Sequence, residues 1–412
     1  MKKILILITF ALMFVIVAAH EVIVLNSGSE TLSLVDLTAQ TTINNFAQTG
    51  LYGNQVYYVD DELWLVNSGD NNIQKIDTSN GNILQTVQLP SSSSPWSIIK
   101  KDNYFYVSGM MSGNIYRINA INNEINAAYS GISPEGMLIV GNELFVANTG
   151  FEYPNYNQGY MSVFDLITFE KTYDIPTSIN PQAMILASDG LIHLMCTGNY
   201  FDVEGIVQLI SPSSKEIVGA IEIGGCPNSI IESPEQNVYL ADGMGLGFYV
   251  YNVNTHEIIN SSTNPSFNGG SKILFLNGEK LVLKTGDWFS NSHLLHIGIG
   301  DDEIYDYAVG VGAIDLAIIE NPQSYNDIVA VKESLIEVYP NPFTTKININ
   351  TKKHQVEELV IYNVKGEKVK VLQSDYWDGR DMYQQRCSAG IYYVLAKTQD
   401  GVRSAKRIIL MR

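Results

Sequence analysis

The residues able to do chemistry in this chain are sparse and widely spaced. Six histidines occur, His20, His193, His256, His293, His296 and His354. Only His293 and His296 stand close together, and on one strand they point to opposite faces, because strand side chains alternate with a period of two. The run from Ser91 to Ser94 reads as a loop. No G-x-S-x-G elbow or phosphate-cradling P-loop spacing occurs. Gly69-Asp70-Asn71-Asn72 and Asp77-Thr78-Ser79-Asn80-Gly81 are turn sequences without the full calcium-loop spacing. Cys196, Cys226 and Cys387 are too few for a disulfide framework. They read as buried thiols, with a Cys196–Cys226 bridge as the alternative. The expectation is therefore no metal, no cofactor and no enzymatic nucleophile.

What the sequence does contain is a repeated phrase, seen in Glu143-Leu144-Phe145-Val146-Ala147-Asn148-Thr149-Gly150. Its other copies end at Gly28, Gly69, Gly109, Gly198, Gly243 and Gly286, so successive gaps are 41, 40, 41, 48, 45 and 43 residues. A period of about 40–45 is that of a four-stranded propeller blade. In the second copy the spacing predicts strands at Gln55 to Val59, Glu62 to Asn67, Ile73 to Asp77 and Asn82 to Leu89, with Asn80-Gly81 as a tight-hairpin signal. The first copy lacks its preceding strand, whereas Gly312 to Ile319 is such a strand with no blade after it. The end should complete the beginning, giving an all-β, seven-bladed propeller over residues 20–320 with no exposed sheet edge.

That geometry says where a ligand would sit. Loops from the outer strand of one blade to the inner strand of the next share a face with the loops between second and third strands. Alignment of the copies puts Asn54, Trp96, Glu135, Gln182, Asn228 and Lys272 at the channel mouth, with Gln55, Ser97, Gly136, Ala183, Ser229 and Asp315 one step deeper. The largest insertions fall on that same face and carry Tyr153, Tyr156, Tyr200 and Trp288. Aromatic rings beside amides and acids suit a sugar or a peptide. The alternative is that the rings fold inward and plug the loops.

Charge excludes one partner class. Residues 21–330 carry 34 acidic against 9 basic side chains, which repels nucleic acid. At the start, Met1-Lys2-Lys3, the apolar run from Ile4 to Val17 and Ala18-Ala19 have the parts of a signal peptide, residues 1–19. Its removal leaves no segment apolar enough to span a bilayer. After Glu320 a polar linker, 321–334, precedes a second pattern over 335–412, whose short strands and regular turns predict a small Ig-like β-sandwich.

Two resemblances follow from these residues. Val24-Leu25-Asn26-Ser27-Gly28 and Phe145-Val146-Ala147-Asn148-Thr149-Gly150, with the Pro that opens several repeats, resemble the YVTN-type β-propeller repeat. That family implies a secreted or surface binding propeller. The tail is similar to the C-terminal sorting domain of the type IX secretion system: Tyr339-Pro340-Asn341-Pro342-Phe343, the hairpin through Gly366, the Gly390-Ile391-Tyr392 strand and the Lys406-Arg407 ending all match. Trp377-Asp378-Gly379-Arg380-Asp381 looks more like the Ig-like domain of flagellar hook-assembly proteins. The sorting resemblance implies the type IX machinery as partner and secretion to, or display on, the outer-membrane surface of a Gram-negative bacterium. The expected function is binding or adhesion to an extracellular glycan, peptide or protein. The alternatives are a lactonase-like hydrolase or lyase in the channel, and a structural surface-layer component. The lactonase type also uses a propeller and wants convergent carboxylates on a metal, whereas Glu135 and Asp315 fall three blades apart.

Overall fold

A computed structural model describes residues 20–286, 289–320, 337–351, 356–363, 368–372, 374–398 and 403–411. The proposed leader 1–19, the linker 321–334, Trp288 and Gly366 lie outside the described residues. Regular structure among the described residues is all strand, without a helix. None of it forms a helix long and apolar enough to cross a membrane. The chain separates into two compact units, Ala19–Asn321 and the tail from Pro322 onward.

In the larger unit the described strands pair into seven four-stranded antiparallel sheets, numbered here in chain order. Sheet 2 shows the common plan: inner strand Gly53–Val59, then Glu62–Asn67, Asn72–Ile76 and outer strand Ile83–Gln88. The second strands Glu62–Asn67 and Glu143–Asn148 are buried at every position after the first. Both their faces pack on neighbouring sheets, so the residues between the first and the closing Asn are apolar. The outer strand is mostly exposed, Ile83 and Leu84 included.

Adjacent sheets interlock through shared clusters. Trp64, Val66 and Ile73 of sheet 2 pack with Ile98, Phe105, Val107 and Tyr116 of sheet 3, and the Trp64 and Phe105 rings stand 4.6 Å apart. Each such side chain withdrawn from water contributes about 1.5–3 kcal/mol. The last strand, Ala313–Glu320, pairs with His20–Asn26 in the register Val24↔Leu316 and becomes the inner strand of sheet 1. Both chain ends thus complete one sheet, and Val22, Ile23, Val24 and Leu25 are fully buried there.

The repeated Asn of the phrase has a structural task. Asn26, Asn67 and Asn148 end the second strands of their sheets and are wholly buried. The Asn67 amide donates to Asn72 Oδ1 at 2.9 Å and to Gln74 Oε1 at 3.0 Å; the Asn148 amide donates to Ser162 Oγ at 3.0 Å. Each ties its strand to the third where the chain must turn.

One turn differs from the sequence expectation. Ile76 pairs with Ile83, leaving six residues, 77–82, where the expected strand ends at Asp77 and Asn82 left four. The Asp77 carboxylate accepts from the Ser79 amide at 2.8 Å, and the Gly81 amide donates to Asp77 O at 2.8 Å. That aspartate turn captures the loop before a shorter one forms. The same device recurs at Asp36, Asn119, Asp165 and Asn252, each at the end of a third strand. Cys196, Cys226 and Cys387 are free thiols, so the Cys196–Cys226 bridge is not formed.

The tail folds around its own core of Phe343, Ile347, Ile349, Ile361, Trp377, Tyr392, Val394, Ile408 and Leu410. A three-stranded and a four-stranded sheet enclose it. Phe343 pairs with the final strand through Phe343 N to Ile409 O, 2.9 Å, and Met411 N to Phe343 O, 2.7 Å. Asn341 Oδ1 accepts from Ile409 N at 2.9 Å. The Tyr339-to-Phe343 opening is thus joined through Asn341 and Phe343 to the end of the strand that carries Lys406 and Arg407. Trp377, at the departure from the sorting pattern, is fully buried against Phe343 and Tyr392, with its indole donating to Arg380 O at 2.8 Å.

Candidate binding site at the inner-strand ends

A cavity of about 750 Å³ opens where the inner strands begin. All seven sheets line it: Asn54 and Gln55, Trp96 and Ser97, Glu135 and Gly136, Gln182 and Ala183, Asn228 and Ser229, Lys272, and Asp315. Its size is that of a small-ligand site.

The deeper residues bind the ring to itself. Asp315 Oδ2 accepts from the Val56 amide of sheet 2 at 2.9 Å while its other oxygen pairs with Lys272 of sheet 7. Gln55 Oε1 accepts from the Ile98 amide of sheet 3 at 2.7 Å. Ser97 Oγ donates to Glu135 O of sheet 4 at 2.7 Å. Each is a side chain of one inner strand reaching the backbone of the next. Sheets 4 and 5 come closer still: a Cβ on Gly136 would lie 2.3 Å from Gln182 O. Glycine is required there by contact.

Glu135 is the exception among the charged groups. It is 6% exposed, and its carboxyl has no hydrogen-bond or ion-pair partner among the described residues. Burial raises its pKa from 4.5 to about 8. At neutral pH it is a protonated acid facing the cavity, able to donate a hydrogen bond.

The insertion after Gly150 supplies one aromatic wall. Strands Phe151–Glu152 and Asn155–Tyr156 form a short hairpin, with the Phe151 and Tyr156 rings 4.8 Å apart. Tyr156 is 6.0 Å from Tyr200, whose hydroxyl accepts from Gln182 Nε2 at 3.4 Å. Burial pushes the Tyr156 phenol up to about 12, helped by the neighbouring Tyr200 and Glu135. Trp96 lines the cavity half-buried.

The expected site residues are not all brought together. Trp96, Glu135, Gln182, Asn228, Lys272 and Tyr156 line the one cavity. Tyr153 does not: it sits at the hairpin tip, 90% exposed, beside a separate hollow of about 340 Å³. The hairpin that turns Tyr156 inward turns Tyr153 out. Tyr200, carried by the second insertion, lines it as well, as do Phe151 and Met110, which were not singled out. Tyr200 and Phe201 are adjacent, and only the fold reveals that the first faces the cavity while the second is 93% exposed.

Sequence reasoning also missed a group far from this cavity. Asp189 and His193 of sheet 5 and His256 of sheet 6 place one ligand atom each within 4.8 Å of one another. They stand 67 residues apart at the extremes and share no local motif. By contrast His293 pairs with Asp306 at 2.7 Å and His296 with Glu279 at 2.7 Å, on opposite faces of one strand.

Solved structures share the fold. A putative 6-phosphogluconolactonase from Bacteroides fragilis superposes with a TM-score of 0.56, 11% identity, and coverage of 73% of this chain and 98% of that one. A quinoprotein alcohol dehydrogenase-like protein from Bacteroides thetaiotaomicron gives 0.55, 12%, 73% and 78%. Virginiamycin B lyase from Staphylococcus aureus gives 0.50, 14%, 73% and 91%. At these identities the likeness is one of fold, and the fold is propeller-like. No curated protein matches the sequence at a significant level. Residues 337–411 match the secretion system C-terminal sorting domain family. The tail of this chain is a C-terminal sorting domain, and the protein it carries is secreted or held at the outer-membrane surface.

Proposed function

We propose that the propeller is an extracellular binding protein that takes a polar ligand, a glycan or a peptide, in the cavity at the inner-strand ends. The observation that carries this reading is the joint lining of that cavity by aromatic rings, Trp96, Tyr156 and Tyr200, and by hydrogen-bonding groups, Asn54, Gln182, Asn228, Lys272 and Glu135. Rings give area at low entropic cost, while amides and a protonated acid fix orientation. The type IX machinery delivers the protein, the leader 1–19 starts its export, and the sorting domain lies in a separate compact unit.

A hydrolase or lyase in the same cavity is the second reading, favoured by Glu135. A carboxyl with a raised pKa has the protonation state of a general acid. That reading needs a free base or metal beside it, and Asp315 is already engaged by Lys272 and the Val56 amide. Binding without turnover therefore fits the site better. The test is a glycan and peptide array probed with the mature chain and with Trp96→Ala. A ligand captured by the first and lost by the second supports the reading. Turnover of the captured ligand, abolished in Glu135→Gln, would establish the enzyme instead.

A further inference from the structure

We propose that Asp189, His193 and His256 form a divalent transition-metal site, of the zinc class, clamping sheet 5 to sheet 6 on the face opposite the cavity. Asp189 lies in the turn between the inner strand Pro181–Leu186 and the second strand Ile192–Cys196. His193 is the second residue of that second strand. His256 lies in the turn between the third strand Phe248–Asn252 and the outer strand Ile258–Asn260 of the next sheet. Turns of both kinds fall at the end of the ring away from the cavity.

The donor atoms already converge. His193 Nε2 is 3.0 Å and His256 Nε2 3.7 Å from the same oxygen, Asp189 Oδ2. Ligand atoms about 2.0–2.1 Å from a tetrahedral ion stand roughly 3.3 Å apart, and the two separations bracket that value. His193 is fully buried, Asp189 largely so, and the His256 side chain is 38% exposed. Two ligands are thus fixed and the third swings in from solvent. Imidazole and carboxylate donors suit zinc and its neighbours rather than calcium.

The surroundings hold His193 as a ligand would be held. Its other ring nitrogen, Nδ1, is 2.6 Å from the Tyr251 hydroxyl, contributed by sheet 6 and buried. With the proton on Nδ1 donated to Tyr251, the Nε2 lone pair turns onto the Asp189 carboxylate. A lone pair facing a carboxylate is favourable only with a cation between them. A partner on the far nitrogen that fixes the tautomer is the usual support of a metal-bound histidine. With the opposite tautomer the same atoms make a hydrogen-bonded cluster and hold nothing.

Titration of the chelator-stripped, tag-free mature chain with Zn²⁺ by calorimetry separates the two. The expected result is saturable binding of a single ion, a visible absorption band on Co²⁺ substitution, and no response to Ca²⁺. His256→Ala and Asp189→Asn should each abolish it. Tyr251→Phe, which keeps the ring in the core, should weaken it by about tenfold or more. His293→Ala, a histidine paired elsewhere, should leave it unchanged. Absence of saturable Zn²⁺ binding, or binding that survives both His256→Ala and Tyr251→Phe, would show a hydrogen-bonded cluster only and overturn the proposal.

Discussion

Two buried groups of opposite logic meet in the cavity wall. Asp315 is satisfied by Lys272 and a backbone amide; Glu135 is buried and unpaired, and responds by holding its proton. Its folded pKa, about 8, lies above the ordinary 4.5. The stability it contributes is complete below the lower value and is lost as pH rises through the upper one. Thermal melts between pH 5 and 9 should show the wild type losing stability relative to Glu135→Gln, with the gap opening toward the alkaline end. Parallel curves would mean that Glu135 finds a counter-charge. Alignment of the repeats was enough to put Glu135 at this mouth, but its solitude was not legible. Whether a carboxyl is paired depends on neighbours contributed by other repeats.

Within the sheets, the phrase that marks the period is also the part that cannot vary freely. Asn67 is sealed between strands and serves Asn72 and Gln74. Asn67→Ala leaves both unsatisfied and should cost about 1–3 kcal/mol in denaturant unfolding. Gly136→Ala pushes a methyl against Gln182 O and should cost a similar amount, about 1–3 kcal/mol, through overpacking where sheets 4 and 5 touch. The strand pattern was readable because second strands such as Glu62–Asn67 are buried on both faces, and Ala313–Glu320 was recognisable as the partner of His20–Asn26 because the first copy of the phrase lacks its preceding strand. The turn at 77–82 was misjudged because an aspartate capturing two amides outcompetes the Asn-Gly signal. Tyr153 and Tyr156 could not be told apart, since their directions are set by the hairpin they occupy. His193 and His256 gave no signal, because sheet packing alone brings them together.

For the molecule as a whole, the sorting domain and the seven four-stranded sheets belong to separate compact units. The sorting domain carries the address, so deletion of 331–412 should strand a folded propeller in the periplasm, as cell fractionation would show. Surface display of the truncated protein would reject that role. The proposed task uses the cavity to which all seven sheets contribute. Its most direct test is the affinity of a ligand captured on the array, titrated against wild type, Trp96→Ala and Tyr153→Ala. Binding should fall by about tenfold or more for Trp96→Ala, as expected for an aromatic anchor, and stay level for Tyr153→Ala outside the cavity. Equal affinity for wild type and Trp96→Ala would place the ligand elsewhere and contradict the assignment.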